Sequence, residues 1–246
     1  DVFGHLVDQD AQGHEHQPER PKGHTHAEDA ARPKAPHKRK KPTVTSSAEV
    51  SQQVSDGPYG WTAAYTVQTM SDGSMRVLIK VKIDRDADVT SKQASKVQRQ
   101  TQAAFRRFWD RKFKLIGADG KQHPLDVQLQ WVDSGEHLTV ALHSGDGRDD
   151  LANWYVDSNS NDRAHELGHQ LGMKDEYVDA SVPDRATATS PGVHTDHSIM
   201  GQYYEEGIDK ARVRQRHGDV LAGMISSATG DNYRAEKTKP PKKHKK

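Results

Sequence analysis

Hydrophobic and polar positions alternate most regularly from Met75 to Asp84. Val77, Ile79, Val81 and Ile83 share one face, with Arg76, Lys80 and Lys82 opposite. A period of two over this length predicts a strand with one buried side. Trp61 to Thr69 alternates more loosely and is joined to it by Ser71-Asp72-Gly73-Ser74, a hairpin turn. From Val89 to about Phe113 the period changes to that of a helix. Val97, Ala104, Phe105, Phe108 and Trp109 form the stripe expected to be buried. Gly117 to Gly120 breaks that helix. Alternation resumes at Leu125 to Val132 and at His137 to His143, with a short strand expected at Trp154 to Val156.

The next element starts at Ser158-Asn159-Ser160-Asn161-Asp162, a run dense in residues that cap helix N-termini. Ala164, Leu167, Gly168 and Leu171 follow at helical spacing and should face the core. Gly172 is placed to end this helix, because glycine accepts a left-handed backbone. Residues 176 to 197 read as loop. A final helix is expected from Glu205 to about Ser227, with Val213, Val220, Leu221 and Met224 as core contacts. The whole predicts an α+β domain with a mixed twisted sheet, a long helix, a site-bearing helix and a C-terminal helix.

Composition narrows the organisation. The chain has 246 residues, a net charge of +1, only 32% hydrophobic residues and a mean hydropathy of −0.98. Such low apolar content implies that part of the chain lies outside the core. Residues 1–55, with His14, His16, His24, His26 and the run His37 to Lys41, read as a disordered polar leader or linker. Residues 231–246 read as a disordered basic tail, which leaves 56–230 for the domain. The near-neutral charge gives no reason to expect a specific nucleic-acid partner. No apolar run approaches the roughly 20 residues of a membrane-spanning helix. The absence of cysteine excludes a thiol nucleophile, disulfides and a Cys-ligated zinc site.

The site-bearing helix contains His165-Glu166-Leu167-Gly168-His169, followed by Gly172 and Asp175, hence H-E-x-x-H-x-x-G-x-x-D. Side chains four apart share a helix face, so both imidazoles can address one ion. Glu166 lies about 100° further round, where it can reach a water at the ion without ligating it. Catalytic zinc needs three protein ligands and an open position, and it lowers the pKa of a water there to about 7. Two histidines and a carboxylate meet that need, with Glu166 as general base. Asp175 is the carboxylate that the spacing favours. Its neighbour Glu176 is read as a supporting group.

His165 to Asp175, together with Ser198-Ile199-Met200-Gly201, resembles the metzincin clan of zinc metallopeptidases, and the wording Ala164 to His169 with Asp175-Glu176-Tyr177 is similar to bacterial secreted or toxin-associated members. The resemblance implies Zn2+ held by His165, His169 and Asp175, Glu166 as base, Met200 as the methionine of a turn beneath the metal, and a protein or peptide substrate. Some members place a tyrosine two residues after that methionine. Here Gln202 stands there, and Tyr203 or Tyr204 is the candidate to support the oxyanion. Other readings stay open. Glu205 or Glu206 could supply a third ligand, as in the gluzincins. His194 or His197 could approach the metal. A fourth protein ligand would make the chain a non-catalytic zinc-stabilised binding module with a basic tail. The polar leader and the absence of an initial Met suggest an effector, secreted or delivered extracellularly by dedicated machinery or as part of a larger polypeptide.

Overall fold

The strand predicted at Met75 forms the centre of the sheet. The computed structural model describes residues 41–239. Counted in chain order the central strand is β3, Met75–Arg85, preceded by β1, Val44–Asp56, and β2, Tyr59–Met70. Strands β1 and β2 make a long antiparallel hairpin, and β2 runs antiparallel to the first half of β3. On its other side β3 pairs in parallel with β5, Gln122–Trp131. Its last residues pair in parallel with β6, Leu138–His143, and β6 pairs with the short β7, Asn153–Tyr155. Beyond β5 lie β4, Phe113–Gly117, and β8, Tyr233–Lys237, both antiparallel to their neighbours. The fold is therefore mixed α/β around a mixed sheet.

Helix α1, Ser91–Phe108, starts where Thr90 and Gln93 form a reciprocal capping box. Its stripe of Val97, Ala104, Phe105 and Phe108, continued by Trp109, is buried as predicted, along with Val77, Ile79 and Val81 of β3 and Leu125, Val127 and Leu129 of β5. Helix α2, Ser160–Gln170, is capped by the Asn159 side chain. It lies against α1 through two buried side-chain bonds. Trp109 Nε1 donates to Ala164 O at 2.9 Å, and Arg163 Nε donates to Thr101 Oγ1 at 2.9 Å. A short helix, α3, Tyr203–Glu206, and a last one, α4, Gln215–Thr229, complete the set.

Several expectations need correction. Residues 44–56 are strand β1, not leader. Val50 and Val54 are buried against the hairpin while most of the intervening positions face solvent. An edge strand needs few apolar residues, so polar composition did not exclude it. Residues 233–237 are strand β8, not tail. Ala235 is its buried residue, and the Gln215 side chain bonds both Ala235 O and Lys237 N. The folded unit thus runs from Val44 to Lys237 rather than 56–230. The expected helix from Glu205 is interrupted: Gly207, at φ 101°, ends α3, and α4 begins only at Gln215. Val213 is buried ahead of α4, whereas Val220 on it is exposed. The expected helix end at Phe113 is likewise early, because Arg111 takes a positive φ and Phe113 opens β4. The readings of residues 1–40 and 240–246 lie outside the described residues.

Candidate metal centre

Helix α2 turns two imidazoles into one cleft. His165 Nδ1 lies 2.8 Å from Ile199 O, and His169 Nδ1 lies 2.8 Å from Met173 O. A carbonyl only accepts, so each Nδ1 carries a proton and each Nε2 is left facing the cleft. Backbone behind the histidines is fixed too. Trp61 Nε1 donates to His169 O at 2.7 Å, and its ring meets the His169 imidazole edge-on. Gly168 explains how the turn at Met200 comes so near. A Cβ there would stand 2.6 Å from Met200 Sδ and 2.8 Å from Trp109 Cζ2.

The third group arrives from the loop after α2. Gly172, at φ 98°, reverses the chain, and Asp175 returns beneath the histidines. Its Oδ1 lies 3.1 Å from His165 Nε2 and 3.3 Å from His169 Nε2. Neither approach has hydrogen-bond geometry, and Oδ1 is a buried oxygen without a hydrogen-bond partner. Zinc bonds of about 2.0–2.1 Å at tetrahedral angles separate donor atoms by about 3.3–3.4 Å, close to both spacings. The donor set therefore fits a small divalent ion.

Glu166 stands slightly further off. Its oxygens are 3.9 Å from His165 Nε2 and 4.0 Å from His169 Nε2. Donor atoms of His165, Glu166 and His169 all lie within 4.8 Å of one another, so this carboxylate is the rival third ligand. The shorter distances belong to Asp175.

Charge is tightly coupled here. Burial disfavours the charged form of His165, but Asp175 and Glu166 outweigh it and lift its pKa to about 9. Burial also works against the Asp175 carboxylate, yet the two imidazoles hold it well below the usual range. For Glu166 burial prevails over the same imidazoles and raises the pKa.

Glu176 points the other way. Arg216 grips it with two bonds of 2.6 and 2.7 Å, and His217 Nε2 lies 3.1 Å away. Those partners overcome burial and hold its carboxyl far below the usual range. Because Glu176 N donates to Met200 O, the network ties α4 to the turn under the histidines.

Tyr203, Tyr204, Asp162 and the histidine pair line a single cleft of about 780 Å³. Tyr203 is buried, its ring 5.9 Å from that of His165, and its hydroxyl donates to Asp162. Tyr204 is exposed and stacks on Tyr203, donating to the same carboxylate at 2.6 Å. Burial and Asp162 push the Tyr203 phenol far above its ordinary pKa.

The remaining candidates stay outside this cleft. Glu206 accepts from His197 N at 2.9 Å, and neither Glu205 nor Glu206 lines the cleft. His194 and His197 do not line it either, so no described histidine beyond the pair reaches the metal position. Three contributors carried no sequence signal of a role: Trp61, Arg185 and Asp56. Each acts through a contact distant in sequence or through backbone.

Comparison with protein-family models, curated proteins and solved structures finds no match to this chain.

Proposed function

We propose that this chain is a zinc-dependent endopeptidase of metzincin type, with His165, His169 and Asp175 holding the ion. The carrying observation is the position of Asp175 Oδ1, buried without a hydrogen-bond partner and 3.1 and 3.3 Å from two oriented Nε2 atoms. The chain has independent means of fixing each ligand, through Ile199 O, Met173 O and the reversal at Gly172. An ion bound there supplies Lewis-acid polarisation of a substrate carbonyl and makes a nearby water acidic.

The protein's own groups do the rest. Glu166, made more basic by burial, removes a proton from the attacking water as its oxygen bonds to the carbonyl carbon. The same carboxyl then gives that proton to the leaving amine as the C–N bond breaks. Tyr203, kept protonated and with its ring 5.9 Å from that of His165, is the donor we assign to the negative charge developing on the carbonyl oxygen. To serve, its hydroxyl must turn from Asp162. The cleft, about 780 Å³ and lined by both histidines, Glu166 and Asp175, leaves room for a protein or peptide substrate at these groups.

The test is zinc titration of metal-free protein, followed by digestion of a peptide library by the parent and by Glu166→Gln. The parent should take up zinc and cleave. Glu166→Gln should take up zinc equally and cleave about 10²–10⁴-fold more slowly. Equal turnover by the two proteins would refute the role of Glu166, and a zinc-loaded parent that cleaves nothing would refute the peptidase reading. Among the described residues no helix is long and apolar enough to cross a membrane.

A further inference from the structure

We infer that Arg185 is a positioning residue for Asp175, holding the second carboxylate oxygen so that the first faces the ion. The inference rests on the metal-site reading above. Arg185 is 1% exposed, an unusual state for an arginine within a loop. It sits at the end of a 3₁₀ turn, Pro183–Arg185, and its backbone is fixed by bonds from Arg185 N to Val182 O and from Asp179 N to Arg185 O. Its guanidinium has three differently occupied arms. Nε donates to Asp56 Oδ2 at 2.9 Å, and Nη1 donates to Tyr177 O at 3.1 Å. The third, Nη2, is buried without a hydrogen-bond partner and lies 3.6 Å from Asp175 Oδ2 and 3.6 Å from Asp179 Oδ2.

Two anchored arms leave the third little freedom to aim elsewhere. The guanidinium is also held over the Tyr177 ring, 4.9 Å from its centroid. A buried cation is costly unless carboxylates face it, and here three do: Asp56, Asp175 and Asp179. Asp56 is itself buried at the end of β1, so the position of Arg185 is set from outside its own loop. The consequence for Asp175 is a division of labour between its oxygens. Oδ2 is drawn to the guanidinium, and Oδ1 is left among the imidazoles without a hydrogen bond. Ligating carboxylates are commonly oriented by such a partner, whose loss costs about 10–100-fold in metal affinity.

The experiment measures zinc affinity of metal-free parent, Arg185→Gln and Arg185→Lys against a competing chelator, well below their unfolding temperatures. The visible spectrum of the Co2+-loaded proteins is recorded alongside. Arg185→Gln should bind zinc about 10–100-fold more weakly, with a shifted cobalt spectrum. Arg185→Lys keeps the charge but cannot span Asp56 and Asp175 with one planar fork, so its loss should be about 3–10-fold. A merely structural arginine would lower the unfolding temperature and leave affinity and spectrum of the folded protein unchanged. Any folded variant that binds zinc within about twofold of the parent, with the parent spectrum, overturns the inference. If Arg185→Gln does not fold, Arg185→Lys decides by the same criterion. A parent that binds no zinc refutes the metal site itself, a distinct result.

Discussion

Helix α2 brings two imidazoles to one face by its own four-residue spacing, whereas Asp175 reaches the same point from a loop whose path depends on charged residues far away. The helical arm needs an N-cap at Asn159, a four-residue spacing and a carbonyl for each Nδ1. The loop arm needs the reversal at Gly172, the grip of Arg185 by Asp56 of β1, and the hold of Arg216 on Glu176. The helical arm is braced by apolar packing and the loop arm by ion pairs. Packing tolerates little change in volume, while ion pairs tolerate little change in charge. The arms should therefore fail differently.

The largest effect is expected at Trp109, which packs beneath α2 and donates to Ala164 O. Trp109→Ala should cost about 3–5 kcal/mol in denaturant unfolding and loosen the histidine pair. A loss below about 1 kcal/mol would show that α2 stands without this support. Asp56→Ala should come next, at about 3 kcal/mol, the low end for breaking a buried pair because Asp175 and Asp179 remain near Arg185. It should also weaken zinc binding in protein that is still folded. If zinc affinity were unchanged in folded Asp56→Ala, the loop arm would not depend on β1.

Smaller still, and opposite in sign to ordinary helix propensity, is Gly168→Ala. Alanine favours a helix, yet a Cβ here meets Met200 and Trp109, so a loss of about 1–3 kcal/mol is expected. Gly223→Ala on α4 is the control. Nothing stands within 4 Å of a Cβ there, and the exchange should stabilise by about 0.5–1 kcal/mol. Thermal melts of the pair would remove the close approach from the account if both moved in the same direction.

This contrast also separates what could be read from residue order from what could not. Spacing and capping are local, so α2, its buried face and its end at Gly172 were legible from Ser158 to Gly172 alone. The stripe of α1 and the alternation of β3 were legible for the same reason. Asp175 was legible as a candidate because a glycine at a fixed offset makes one reversal of the chain. Strand β1 was not, since it exposes most of its side chains and is defined by pairing with β2. Nor was the fold of residues 176–197, held by Arg185 and Glu176 through partners elsewhere in the chain. The break between α3 and α4 was missed because Gly207 was read inside a helical period rather than as its end. The shape of the cleft is set by residues from several elements, which no local pattern records.

The proposed convergence of His165, His169 and Asp175 on one ion, with Glu166 beside it and not bound to it, is tested most directly by calorimetric zinc titration of metal-free parent, Asp175→Ala and Glu166→Gln. The parent should bind one zinc per chain, Glu166→Gln should bind it with nearly parental affinity, and Asp175→Ala should bind far more weakly. Equal weakening by the two substitutions, or a parent that takes up no zinc, would contradict the arrangement.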